Sequence, residues 1–323
     1  MRFVSLVCLL AAVAGIVAAQ DSNRKKKDDP AQIGSRNVGG GINLYSLEKE
    51  MALGKQLAQE VQRQAKVVED PLVAEYVNRI GQNLVRNSDA KVPFTFQVIE
   101  GESPNAFALP GGYVFVYTAL IKLADEEDEL AAAMAHEIAH VAARHMTKQA
   151  TKSQIASIAG IPVGVILGGG IGGMAARQGI NAALPAAFLH FTRQDESEAD
   201  YLGVQYLYAA GYDPNGAISI FEKLESLERK QPGTVARIFS THPMDATRIR
   251  KTEEEIERIL PAKSEYVVNT SEYNTIRQRL ISQEARKKGP EDDRPRLRTR
   301  QNVPDTPAEA GDRPTVRRRD LVE

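Results

Sequence analysis

Cysteine is nearly absent from this 323-residue sequence, which holds only Cys8 and has no tryptophan. No internal disulfide can form, so stability must come from a buried core. An excess of one charge is lacking too, with 41 Lys and Arg against 42 Asp and Glu. The basic clusters, Arg24 to Lys27 and Arg317 to Arg319, are short and lie in polar flanks. The basic stripe that marks a phosphate-binding surface is therefore missing, and nucleic acid is not an expected partner. Residues 284–323 have no aromatic, and their five Pro, 11 Lys/Arg and 9 Asp/Glu leave too little apolar surface to offset the entropy of ordering.

These shortages divide the chain. Arg2 followed by the uncharged run Phe3 to Ala19 has the charge, core length and small-residue end of a secretory signal peptide. Residues 1–19 are thus expected to be removed on export, the periplasm being the expected compartment. The mature chain, starting near Gln20, would lose Cys8 and Arg2 and carry a net charge of −2. Residues 20–42, charged and then Gly-rich, read as a linker. Residues 43–281 are long enough for a well-buried domain, and 282–323 read as a disordered, charged, Pro-rich tail.

Within the domain, Leu47, Met51, Leu57 and Val61 recur at helical spacing, as do Val73, Val77, Ile80 and Leu84, so two amphipathic helices are predicted. The period then changes. Phe94, Phe96 and Val98 alternate as in a strand, and Tyr113 to Tyr117 is a second β-branched and aromatic run. Between them, Ser103 to Gly112 carries the Pro and Gly of an edge segment and a turn. From about Asp125 the chain turns helical and Ala-rich, and further helices are predicted over 194–209, 215–230 and 244–260. The fold class is α+β, mainly helical, with a small sheet.

The chemistry sits in the Ala-rich helix. His136 and His140 lie four residues apart, about 40° around a helix, so both can reach one metal with Glu137 beside it as a base. The neighbours, Ala131 to Ala135 and Val141 to Ala143, make this helix apolar, and two histidines and a glutamate would be costly to bury without a partner. One zinc per chain supplies that partner. A catalytic zinc needs a third protein ligand. His145, nine residues after His136, falls about 180° round the helix and points away. The metzincin pattern needs glycine at position 143 and histidine at 146, where this chain has Ala143 and Met146. A second helix supplies carboxylates: Glu196 and Asp200 share a face, and Glu198 lies about 200° from Glu196. Glu196 is the candidate ligand, and Asp200 the acceptor for the free N–H of a ligating histidine.

At this point the chain resembles the HtpX-like and BepA-like zinc metallopeptidases, relatives of the CAAX prenyl proteases. The resemblance rests on His136 to His140 with Arg144 and His145 after them, Glu196 to Asp200, Ser240-Thr241-His242-Pro243 with Arg248, and Asn105 to Gly112. It implies a gluzincin-type endopeptidase in which Asn105 and Ala106, on an edge strand, pair with the substrate backbone. It also implies a role in envelope quality control, with unfolded or misassembled polypeptides as substrates. Glu137 would take a proton from the attacking water. His242 is a catalytic candidate, either an oxyanion donor or a fourth, inhibitory ligand. Arg248 has two readings, transition-state stabiliser or carboxylate partner. A second class of function also fits, a chaperone-like assembly factor that keeps the zinc site and rarely cleaves. Ile155 to Ala176, 22 residues with seven glycines and no charge, is long enough to span a membrane. A single crossing would separate His136 from Glu196, so a lid or a peripheral membrane contact is the better expectation. Oligomeric state cannot be read.

Overall fold

The computed structural model describes residues 29–158, 191–233, 241–242 and 246–288. The predicted signal peptide, most of the Gly-rich stretch and the tail beyond Lys288 lie outside the described residues.

Helix α1 (Leu47–Gln64) starts where Ser46 accepts from the Lys49 amide, and α2 (Pro71–Arg86) where Asp70 accepts from Leu72 with Pro71 at its first position. Three strands follow, β1 (Thr95–Ile99), β2 (Ala106–Leu109) and β3 (Tyr113–Tyr117), in spatial order β1-β3-β2. β1 pairs with β3 in parallel, and β2 pairs antiparallel with the other side of β3. Among the described residues β2 is therefore an edge strand, as its punctuation suggested. The turn into β3 needs glycine at 112, where φ is +92° and a Cβ would come within 2.1 Å of the Pro93 carbonyl oxygen.

Side chains alternate across the sheet. Phe115 and Leu109 face Leu57 and Val61 of α1, whereas Phe96, Val98, Ala106, Ala108, Val114 and Val116 face the main core. That core is closed by α3 (Thr118–Leu123), α4 (Glu127–Ala142), α6 (Arg193–Ala209), α7 (Gly216–Lys230) and α9 (Ser271–Lys288). Helix α5 (His145–Ile158) continues from α4 after a sharp turn at Arg144, and α8 (Ala246–Ile259) packs against α6 and α7. The fold class is the expected one. Among the described residues no helix is long and apolar enough to cross a membrane.

Two domain boundaries need correction. The described part of the 20–42 segment is docked. Arg36 is 1% exposed, its guanidinium bonds Asp89 Oδ2 at 2.5 and 2.9 Å and Gln205 at 2.6 Å, and Gly34 N donates to Asp89 Oδ1 at 2.7 Å. Polarity suggested a solvated linker, but its key charge has a buried partner 53 positions away. At the other end, α9 runs to Lys288, inside the segment read as a tail. Gln283 bonds Asp70 at 2.8 Å, and Glu284 pairs with Lys122. Tyr273, Ile276 and Leu280 anchor that helix in the core, so its last turn is held despite its polar composition.

Removing one partner of a buried ion pair leaves the other charge desolvated and unbalanced. Asp89→Ala is therefore expected to lower unfolding free energy by about 3–5 kcal/mol in denaturant titration. A change within about 0.5 kcal/mol, typical of a solvated surface site, would contradict the docking.

Candidate active site

After an acidic first turn of Glu127, Asp128 and Glu129, α4 is Ala-rich and apolar, and His136, Glu137 and His140 are all buried in it. α6 begins just before its own contribution: Thr192 accepts from Asp195 N while the Asp195 carboxylate accepts from Thr192 N, a capping box that places Glu196 in the first turn. The two helices touch at Gly203, where a Cβ would come within 3.2 Å of the His136 backbone.

This contact brings the ring nitrogens and carboxylate together. His136 Nε2 and His140 Nε2 stand 3.0 Å apart, and each lies 3.4 Å from an oxygen of Glu196. His242 joins them, its Nδ1 lying 3.0 Å from Glu196 Oε1 and 3.4 Å from His136 Nε2. The four side chains offer ligand atoms that all lie within 4.8 Å of one another, and all four are buried. A tetrahedral ion with bonds of about 2.0–2.1 Å holds its ligand atoms roughly 3.4 Å apart, close to this spacing. Two imidazole lone pairs at 3.0 Å would repel without a proton or a cation between them, so the donor set fits a metal ion.

Surrounding groups set the charges. Asp200 Oδ1 lies 2.9 Å from His136 Nδ1. Burial opposes protonation of His136, but Asp200 and Glu196 outweigh it and lift its pKa to about 10. For His140 burial prevails and the pKa falls well below the ordinary value. Burial would raise the Glu196 pKa, yet the charge of His242 and hydrogen bonds from the histidines hold it well below the carboxylate range. Arg248 donates to Asp200 at 2.6 and 2.7 Å and pairs with Glu196 Oε2 at 2.9 Å. In this structure Arg248 is paired with both carboxylates. Its guanidinium also lies 5.1 Å from the Phe221 ring centre.

Glu137 points the other way, towards the sheet. Its Oε2 accepts from Ala108 N at 2.9 Å, and its Oε1 lies 3.4 Å from His242 Nε2. Desolvation raises its pKa. The expectation for Asn105 needs adjusting. Asn105 precedes β2, and its carbonyl accepts from Tyr117 N, so its backbone is turned inward to β3. By strand alternation, Ala106 and Ala108 present their backbone groups to the free edge. Leu120, Ile220, Phe221 and Leu224 form an apolar pocket that opens beside His136 and Glu137.

His145 stays outside the ligand group, as expected, but a turn and not a continued helix sets its position. α4 ends at Ala142, and Arg144 takes φ +59°. The turn places His145 Nδ1 3.0 Å from His140 Nδ1, behind the ligand group instead of opposite it. His145 Nε2 in turn lies 3.2 Å from Glu198.

Comparison with known proteins agrees with this geometry. Residues 71–256 match the model of peptidase family M48. The beta-barrel assembly-enhancing protease of Escherichia coli K12 is 33% identical over 237 residues, which are 71% of this chain and 47% of that protein. The putative beta-barrel assembly-enhancing protease of Vibrio cholerae is 32% identical over 291 residues, 87% of this chain and 57% of that one. The mitochondrial metalloendopeptidase OMA1 of Schizosaccharomyces pombe is 35% identical over 180 residues, 55% and 52% respectively. The chain thus spans about half the length of these curated relatives.

Glu196→Ala removes the only carboxylate of the ligand group and is expected to abolish stoichiometric metal content. Asp200→Ala, which removes a partner behind the ligands, should weaken metal affinity by roughly 10–100-fold. Elemental analysis after dialysis, followed by chelator competition, checks both. Full metal retention in Glu196→Ala would refute the assignment.

Proposed function

This chain belongs to peptidase family M48, and from that premise we propose that it is an exported zinc endopeptidase hydrolysing peptide bonds of unfolded or misassembled envelope proteins. The observation that carries the reading is Glu137. It is a buried carboxylate with a raised pKa, between the two histidines of the ligand group in sequence and bonded to the free edge of β2. The names of the relatives, a beta-barrel assembly-enhancing protease and a mitochondrial metalloendopeptidase, support a metal-dependent protease.

The chemistry follows from that placement. His136, His140 and Glu196 would hold the zinc, which when bound supplies Lewis-acid polarisation of a carbonyl and acidifies a water. The free edge of β2 aligns an extended substrate through the backbone groups of Ala106 and Ala108, as an added strand. Folded proteins pair or cover most of their extended segments, which favours unfolded or misassembled chains as substrates. The apolar pocket beside Glu137 takes an apolar side chain near the cut bond. Glu137 accepts the proton of the attacking water and delivers it to the leaving nitrogen, and its raised pKa suits a group that must hold a proton between the two transfers. With export goes a periplasmic location, and residues 155–176 remain the candidate for peripheral membrane contact.

The second reading, an assembly factor that rarely cleaves, is favoured by one observation. His242 Nδ1 occupies the fourth position of the ligand group. A fourth protein ligand would leave no place for the attacking water and would keep the loaded site closed.

Glu137→Gln should keep its metal and lose roughly 10²–10⁴-fold in turnover on an unfolded polypeptide such as reduced, alkylated casein, and chelation should abolish cleavage of the same probe by the unmodified protein. Normal turnover in Glu137→Gln would remove the base from the mechanism. His242→Ala is expected to cleave faster than the unmodified protein with zinc retained, because the fourth position opens. Slower cleavage with zinc retained would instead make His242 an oxyanion donor, for which a loss of roughly 10²–10³-fold is typical.

A further inference from the structure

We propose that His145 and Glu198 form a positioning relay that fixes the proton of His140, so that its Nε2 lone pair is always turned into the metal group. Three contacts define it. His140 Nε2 faces the other ligand atoms, His140 Nδ1 meets His145 Nδ1 at 3.0 Å, and His145 Nε2 meets Glu198 Oε2 at 3.2 Å. The relay rests on the reading of His140 as a metal-holding residue.

Proton positions follow from donor and acceptor rules alone. A neutral imidazole carries one N–H, and the nitrogen that binds a metal cannot be the one that carries it. His140 must therefore hold its proton on Nδ1, facing His145. The two facing Nδ1 atoms need one proton between them, so His145 Nδ1 accepts and its own proton sits on Nε2. That N–H points at the Glu198 carboxylate. With neutral rings, no other assignment satisfies all three contacts. Asp195 is a poorer acceptor, with Oδ1 4.0 Å from His145 Nε2 and Oδ2 bonded to Thr192.

The surroundings hold these rings still. His140 and His145 are 0% and 1% exposed, so both rings are shielded from bulk water, whereas the Glu198 carboxylate is partly exposed. Phe191 lies against the His140 ring with centroids 3.9 Å apart. The two α4 histidines of the ligand group are thus oriented by different devices. His136 has a carboxylate directly behind it in Asp200, whereas His140 reaches its carboxylate through an intervening imidazole. The left-handed turn at Arg144 makes this possible, because a continued helix would carry His145 to the opposite side.

The test is the zinc dissociation constant of the full chain, measured by competition with a chromophoric chelator. His145→Leu removes the acceptor and should weaken zinc by roughly 10–100-fold, the usual effect of losing a partner behind a ligating histidine. His145→Asn, whose side-chain oxygen can replace Nδ1 as acceptor, should recover most of that loss, and Glu198→Gln should fall between His145→Leu and wild type. Equal affinity in His145→Leu and wild type, or equal losses in His145→Leu and His145→Asn, would overturn the relay. Nitrogen-15 NMR of the imidazoles in the zinc-loaded wild-type protein gives a second measurement that needs no variant to fold. It should show His140 protonated at Nδ1 and His145 at Nε2, and His145 protonated at Nδ1 would overturn the proposal. Zinc binding without cleavage would defeat the peptidase reading and leave the relay standing. Unchanged affinity in His145→Leu would do the reverse.

Discussion

Glu196 can stand within 3.4 Å of both imidazoles only because α6 lies directly against the backbone of α4, and Gly203 sets the limit of that approach. A side chain there would meet the His136 backbone and push the helices apart by a few tenths of an ångström, a displacement to which ligand geometry is sensitive. The capping box at Thr192 and Asp195 fixes where α6 begins, and so which residues face α4. Glu196 and Asp200, four apart, then meet the metal side and the back of the same histidine. A local turn of sequence and a single helix contact thereby produce both the ligand and its support.

Charge balance is the next constraint. Two carboxylates, Glu196 and Asp200, are buried beside three imidazoles, and carboxylates desolvated this completely are tolerated only when paired. Arg248 bridges them both from α8, which explains its place in a loop-and-helix segment remote in sequence. His136 responds to the same pair of carboxylates with a pKa raised to about 10. A metal ion entering the group would displace protons from such ligands, so metal binding there would depend on pH.

The sequence made the site more legible than its borders. His136, Glu137, His140, Glu196 and Asp200 follow from spacing on two helices, because helical periodicity is local and survives the rest of the fold. The strand runs at Phe94 to Val98 and Tyr113 to Tyr117 were equally local. What escaped depends on tertiary partners or on single backbone angles. Arg36 looks like a linker charge until Asp89 meets it across 53 residues. His145 obeys helical spacing only if α4 continues, and nothing in Ala143-Arg144 announces a left-handed residue, since arginine has no intrinsic preference for it. The last turn of α9 has the composition of a tail, but three apolar residues upstream hold the helix in the core.

The bond between Ala108 N and Glu137 joins sheet and helix in one further way. An unpaired strand edge invites association with any extended chain, and folds usually cover or charge it. Here the free edge of β2 is covered in part by Glu137, whose carboxylate takes an amide that an incoming strand would otherwise use. On the peptidase reading, a substrate that adds to β2 competes for that amide and releases the carboxylate. Docking and the freeing of the base then become one event. While the edge stays empty, the same carboxylate is held by Ala108 on one oxygen and faces His242 on the other. The base is thus restrained from two sides, and an extended polypeptide that took over the edge would also be the molecule on which the base would act.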